Sequence, residues 1–223
     1  VFFCVRWVKF IRDRPGASEP LSPPTGDRVE FAYNAQGQVL ATTDQNGTVH
    51  EFEYNPLGLR TADIVTLPVG SAIDGAVRRI STSYDDLGRV VATRSCGDTA
   101  GVNVLNEVLF AYGPFGQLVA DRQSHDGAAG SATPAVAYAF TNGSDNQVRP
   151  TAITYPDGRK VDVLYGASGG TGEMLPRIDS LQVNGEVDPF AAYTWMGAGV
   201  AAQVDLPAPG VKLTYLGQGS ETE

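Results

Sequence analysis

The sequence predicts an all-β protein built of stacked antiparallel hairpins. Three observations carry this: one short pattern recurs along the chain, apolar side chains alternate ahead of each copy, and glycine and proline punctuate it throughout. The pattern is clearest at Tyr84-Asp85-Asp86-Leu87-Gly88-Arg89-Val90. It returns at Tyr33–Val39, Tyr54–Arg60 and Tyr112–Leu118, each with Gly four places after Tyr. Tyr155–Val161 reads as a version shorter by one residue. Internal repeats of this kind set the architecture before any single element does.

Each copy reads as strand, turn, strand. Asn, Asp, Pro and Gly between the Tyr and the next apolar residue are turn formers, because Gly supplies positive φ and Asn or Asp bonds its own backbone. Two places before each Tyr stand Phe31, Phe52, Thr82, Phe110 and Ile153; four places before stand Val29, His50, Ile80, Val108 and Thr151. A spacing of two puts these side chains on one face of a strand. Glu51, Glu53, Ser81 and Ser83 fall between them and belong to the opposite face.

Composition agrees. The chain has 223 residues, enough to bury a sizeable core. Gly 26 and Pro 14 make 40 residues, about 18% against the roughly 12% usual in globular proteins. The formal charge of −9 argues against nucleic acid, whose phosphates call for a basic surface. Cys4 and Cys96 are the two cysteines, too few for a disulfide framework; they read as unpaired, with pairing open in an oxidising compartment. There is no C-x-x-C, and His50 and His125 have no partner at metal-ligand spacing, so no metal or cofactor is expected.

Taken in order, Val1–Ile11 is an apolar stretch interrupted by Arg6 and Lys9. It lacks the unbroken run and cleavage site of a signal peptide and is too short to span a membrane. It reads as a strand, and Arg12–Thr25, with four prolines, as an irregular linker. Strands follow at Val29–Tyr33 and Gln38–Asp44, then Asn46-Gly47 as a two-residue type I′ hairpin turn, then Thr48–Tyr54. Leu59–Leu67 is a strand before a Pro68–Gly75 loop. Val77–Tyr84 pairs with Arg89–Arg94, and Asn103–Tyr112 with Gln117–Gln123. Ser124–Thr133 is a loop, Ala135–Phe140 a strand ended by Asn142-Gly143, and Ala152–Tyr155 and Lys160–Tyr165 a tight hairpin. Gly166–Gly172 reads as a flexible loop and Arg177–Val183 as a strand before Asn184-Gly185. The tail offers Ala191/Tyr193/Trp195 and Val211/Leu213/Tyr215 as alternating sets. No window shows a helical period.

The Tyr-Asp-x-x-Gly-Arg motif at Tyr84–Arg89, with Asp44-Gln45-Asn46-Gly47-Thr48 ahead of Phe52-Glu53-Tyr54, resembles the RHS/YD-repeat proteins. The likeness covers roughly Val29 to Tyr165 and, more weakly, the tail. It implies a curved or spiral sheet, part of a hollow shell, as in proteins that enclose a C-terminal toxic domain or in teneurin-like adhesion ectodomains. It divides the chain into 1–26, a strand and Pro-rich linker set apart from the repeat fold; 27–165, the repeat hairpins; and 166–223, continuing β-hairpins. The family's core ending is not found, Asp188-Pro189-Phe190 being too short a match, so no self-cleavage residue is carried over.

Other chemistry reads as structure. Asp85/Asp86 is explained by turn formation, and His50 occupies a stripe position as a packed or paired histidine. Ser124-His125-Asp126 holds triad residue types, but a triad is made by geometry, not adjacency. Gly166–Gly172 lacks the Lys-Ser/Thr of a phosphate loop. Trp7, Trp195 and the tyrosines could stack on sugars, yet most Tyr belong to the repeat. The expectation is a structural shell segment of a larger secreted or cell-surface protein, not an enzyme, with no catalytic, cofactor or metal residue. Its partners would be the remainder of its own polypeptide or an enclosed C-terminal domain, with no nucleic acid and no membrane span. The alternative is a surface carbohydrate- or protein-binding β-module, for which Tyr193/Trp195 is the aromatic cluster outside the repeat phase.

Overall fold

Six four-residue turns of one kind organise the chain. In the computed structural model, which describes residues 5–6, 28–141, 148–167, 169–197 and 199–215, they begin at Asn34, Asp44, Asn55, Asp85, Gly113 and Tyr155. In each, the fourth residue's N–H donates to the first residue's carbonyl, and the first residue's N–H donates to the fifth's carbonyl. The fourth residue is always glycine at positive φ, for example +83° at Gly37 and +78° at Gly88, a conformation that a Cβ disfavours.

The turns join short strands. β1 (Val5–Arg6), β2 (Glu30–Tyr33), β3 (Val39–Thr43), β4 (Val49–Tyr54), β5 (Arg60–Thr66), β6 (Arg79–Tyr84), β7 (Val90–Cys96) and β8 (Val104–Tyr112) pair antiparallel in chain order. β9 (Leu118–Ser124) follows β8 after the Gly113 turn. β10 (Ala135–Phe140), β11 (Pro150–Thr154), β12 (Lys160–Tyr165), β13 (Ile178–Val183), β14 (Ala191–Met196), β15 (Val200–Leu206) and β16 (Val211–Thr214) pair antiparallel in the same way. The fold is all-β, and its one helix among the described residues is α1 (Thr171–Met174). The chain forms two units, Val1–Phe110 with Arg122–Thr133, and Ala111–Asp121 with Pro134–Glu223.

Register fixes the faces. In the first unit, Phe52, Asp63 and Ile80 lie opposite one another on successive strands, as do Thr42, His50 and Val65 one row along. The other face carries Glu53, Ala62, Ser81, Arg94 and Glu107 in one row. Phe31 stacks on Tyr33 with centroids 6.3 Å apart, and His50 on Phe52 at 6.2 Å, so the expected period of two holds. Among the described residues the buried apolar ones are small: Ala62, Ala92, Cys96, Ala152, Val161, Val163 and Ala191. Larger stripe residues such as Phe31, Phe52 and Val65 stay half-buried.

Several expectations need correction. Asn46-Gly47 is not a type I′ turn: only Gly47 has positive φ there, where type I′ needs it at both residues. It closes the Asp44 member of the six-turn series instead. Tyr155 does not occupy the repeat Tyr position, because it is the first residue of its turn, where Asn, Asp or Gly stands elsewhere. The segment read as a Gly166–Gly172 loop runs into α1, and β15 was not foreseen. Most of Val1–Ile11, the Arg12–Thr25 linker and Asn142-Gly143 lie outside the described residues.

Candidate functional site

The repeat aromatics do one job in four places. Tyr54, Tyr84, Tyr165 and Trp195 each sit where the register slips by a residue, at a β-bulge against the following strand. Each then reaches back to the first residue of the preceding strand. Tyr54 Oη donates to the Val39 carbonyl, Tyr84 Oη to Arg60 and Tyr165 Oη to Pro150, all at 2.8 Å; Trp195 Nε1 donates to Ile178 at 2.7 Å. These bonds satisfy a carbonyl at the point where the ladder is broken. Tyr165 and Trp195 are 30 residues apart (195 − 165), as are Tyr54 and Tyr84 (84 − 54). Trp195 therefore stands in the repeat phase, which removes the aromatic cluster that favoured a binding module.

Three rings, Tyr165 among them, lie under cations: the guanidinium of Arg60 lies 5.1 Å from the Phe52 centroid, that of Arg149 4.2 Å from Tyr165, and that of Arg159 4.7 Å from Tyr155.

The turn carboxylates and amides are accounted for. Asp85 Oδ1 accepts the N–H groups of Leu87 (3.0 Å) and Arg89 (2.9 Å), and Oδ2 takes the Arg89 guanidinium at 2.7 Å. Partial burial pushes its carboxyl up, but these donors outweigh that and hold it below the usual carboxylate range. Asn34, Asp44 and Asn55 each accept the same two N–H positions. Asp98 accepts N–H groups from Gly101, Val102 and Asn103, which lower its carboxyl.

The polar face of the first unit is an ionic net. Arg79 reaches Glu53 at 2.6 Å, Ser81 Oγ at 2.8 Å and the Thr99 carbonyl at 3.2 Å. Glu107, 2% exposed, pairs with Arg94 and accepts the Ala129 N–H at 2.7 Å, pinning the Ser124–Thr133 loop to the sheet. A buried carboxylate held by a guanidinium and a main-chain donor has its charge compensated, and here it fastens the loop.

The remaining sequence candidates disperse. Ser124 Oγ donates to the Asp126 carbonyl, a turn contact. His50 Nδ1 lies 2.7 Å from Asp63 Oδ1, the paired histidine expected from its stripe position. Cys96 is a free thiol buried in the sheet, its pKa raised by burial; Cys4 lies outside the described residues. No group of three metal-ligating side chains occurs among the described residues. Sequence reasoning missed a shallow hollow of about 90 Å³ lined by Arg60, Ala62, Asp63, Ile80 and Thr82. Only strand register brings these residues together.

Against known proteins, residues 33–72 match the RHS repeat family. The match covers the Asn34, Asp44 and Asn55 turns and the Tyr54 bond, so over that stretch the turn-and-tyrosine unit matches an RHS repeat, as the sequence resemblance indicated. No curated protein matches the chain. Among solved structures, a Photorhabdus luminescens Tc holotoxin pore aligns with 12% identity over 86% of this chain and 12% of its own, with a TM-score of 0.24. A TcdB2–TccC3 complex aligns with 14% identity over 80% of this chain and 12% of its own, at the same TM-score. This chain thus spans about 12% of the length of the solved chains it matches.

Proposed function

We propose that this chain is a stretch of shell wall in a larger secreted or cell-surface RHS protein, of the toxin-enclosing or adhesion type, without catalysis of its own. The observation that carries the reading is the repeated unit itself: a turn closed by glycine, a bulge, and an aromatic donor fastening the previous strand. That unit makes sheet, and its side chains are consumed in making it. Asp85 is engaged in a turn, His50 in an ion pair and Glu107 in a loop fastening, which fits a structural role for these side chains. No helix among the described residues is long and apolar enough to cross a membrane. On this reading 27–165 and 166–223 are wall, β1 adds a strand to it ahead of β2, and the partner is the remainder of the same polypeptide or a domain it encloses.

Half-buried Phe31, Phe52 and Val65 need a cover that the sheet alone does not supply. The isolated chain is therefore expected to associate as concentration rises and to melt broadly. Sizing and heat denaturation of residues 1–223 test this; a monomer with one sharp cooperative transition overturns it and favours a self-contained binding module.

A further inference from the structure

The hollow between β5 and β6 holds three groups with hydrogen-bonding capacity to spare. The Arg60 guanidinium carbon lies over the Phe52 ring, 5.1 Å from its centroid, and the group carries five N–H donors in a planar fork. Among the described residues no carboxylate lies within ion-pair distance of it. Asp63 gives Oδ1 to His50 at 2.7 Å, and among the described residues Oδ2 has no protein partner. Thr82 supplies a hydroxyl, and Ile80, 45% exposed, an apolar wall.

We propose that this hollow binds a small ligand carrying a carboxylate next to a hydroxyl, the end group of a hydroxy acid or a sugar acid. The carboxylate pairs with the Arg60 edge, a geometry that guanidinium favours. The neighbouring hydroxyl donates to Asp63 Oδ2. Asp63 is also the selector: a sulfate, all acceptor, would face its charge with no proton to offer, whereas a hydroxyl between the two anions supplies one. About 90 Å³ accommodates those two groups and leaves the rest of the ligand in water. The inference rests on β4 to β6 alone and stands or falls independently of the shell reading.

The test is amide chemical-shift titration of the full chain with lactate, propionate, gluconate and glucose. Lactate and propionate differ only in the hydroxyl. Lactate, gluconate or both should shift the amides of Arg60–Asp63 and Ile80–Thr82; which of them binds identifies the source of the end group. Propionate should bind about tenfold more weakly, the value of one charge-assisted hydrogen bond, and glucose should do nothing. Arg60→Gln should abolish binding, and Asp63→Asn should erase the difference between lactate and propionate, with the rest of each spectrum unchanged as evidence of folding. Equal binding of lactate and propionate, binding retained in Arg60→Gln, or no shift with either acid overturns the proposal.

Discussion

The turns at Asp85–Gly88 and Gly113–Gly116 have the same backbone and different chemistry. Both make the same pair of main-chain hydrogen bonds, and both end in glycine at positive φ, +78° and +84°. In the first, the Asp85 carboxylate closes the loop by accepting two N–H groups. The second has no side chain at that place. There the Gln117 amide folds back instead, its Oε1 accepting the Phe115 N–H at 3.1 Å, and it fills space that a Cβ on Gly113 would enter, 2.8 Å from the Gln117 Cδ. The glycine is the fixed requirement of the repeat, while the acceptor is a role that can move along the chain.

The largest expected effect follows from what the two turns share. Gly88→Val and Gly116→Val should each destabilise the fold by about 2 kcal/mol or more, because a β-branched residue is forced into the left-handed region. Gly88→Val also meets Leu59, whose Cδ1 lies 3.4 Å from the would-be Cβ. Urea denaturation measures both. If either variant unfolds at the wild-type midpoint, the claim that the backbone is the common element fails.

Next comes the aromatic fastening beside the first turn. Tyr84→Phe keeps the ring and removes the donor to the Arg60 carbonyl, for an expected loss of about 1 kcal/mol. Amide exchange should quicken at the β5–β6 pairing near Arg60 and leave the β15–β16 pairing alone. Uniform quickening across both would show that the hydroxyl is not a local fastening.

These pairs also show what was legible in the sequence. The Asn34, Asn55 and Asp85 turns and the Tyr54 and Tyr84 positions could be read because their determinants lie within seven residues: Tyr, an Asx acceptor, Gly and an apolar residue. The Tyr165 and Trp195 fastenings could not, because no Asx-Gly turn of this spacing follows either to mark its place, and only the fold brings them to the Pro150 and Ile178 carbonyls. Tyr155 misled because it has a glycine close behind, yet hydrogen bonding puts it inside the turn. β15 escaped notice because Ala201 and Ala202 dilute the alternation of Val200–Leu206. His50 could be read as a paired residue, but its partner Asp63 and the hollow beside it depend on cross-strand register that only the fold sets.

The acceptor difference gives a smaller contrast. Asp85→Ala strips two N–H groups of their acceptor, Gln117→Ala only one, and water can reach both exposed turns. Asp85→Ala should lower the melting temperature more, and both should fall short of the glycine variants. Reversal of that order would mean that the Gln117 side chain matters chiefly for its packing against Gly113.

The smallest effect separates the two turns by charge. The Asp85 carboxyl titrates below its usual range when folded, because the Arg89 and Leu87 N–H groups and the Arg89 guanidinium outweigh the opposing effect of burial. A depressed folded pKa means that the unfolded chain takes up the proton first. The contribution is therefore complete above the unfolded value, near 3.9, and is lost as pH falls through the lower folded value. At the second turn the acceptor is an amide, which does not titrate there. Asp85→Asn keeps an acceptor of the kind Asn34 and Asn55 already provide and removes the titration. Between neutral pH and about pH 3 the wild type should lose more stability than Asp85→Asn. Gln117→Ala should lose as much as the wild type. Asp98 and Asp162, whose carboxyls are also lowered, keep a residual slope in every variant, so the measured quantity is the difference in urea midpoints between the two pH values. If the Asp85→Asn and wild-type profiles run parallel, the carboxylate acts at this turn only as a neutral acceptor would.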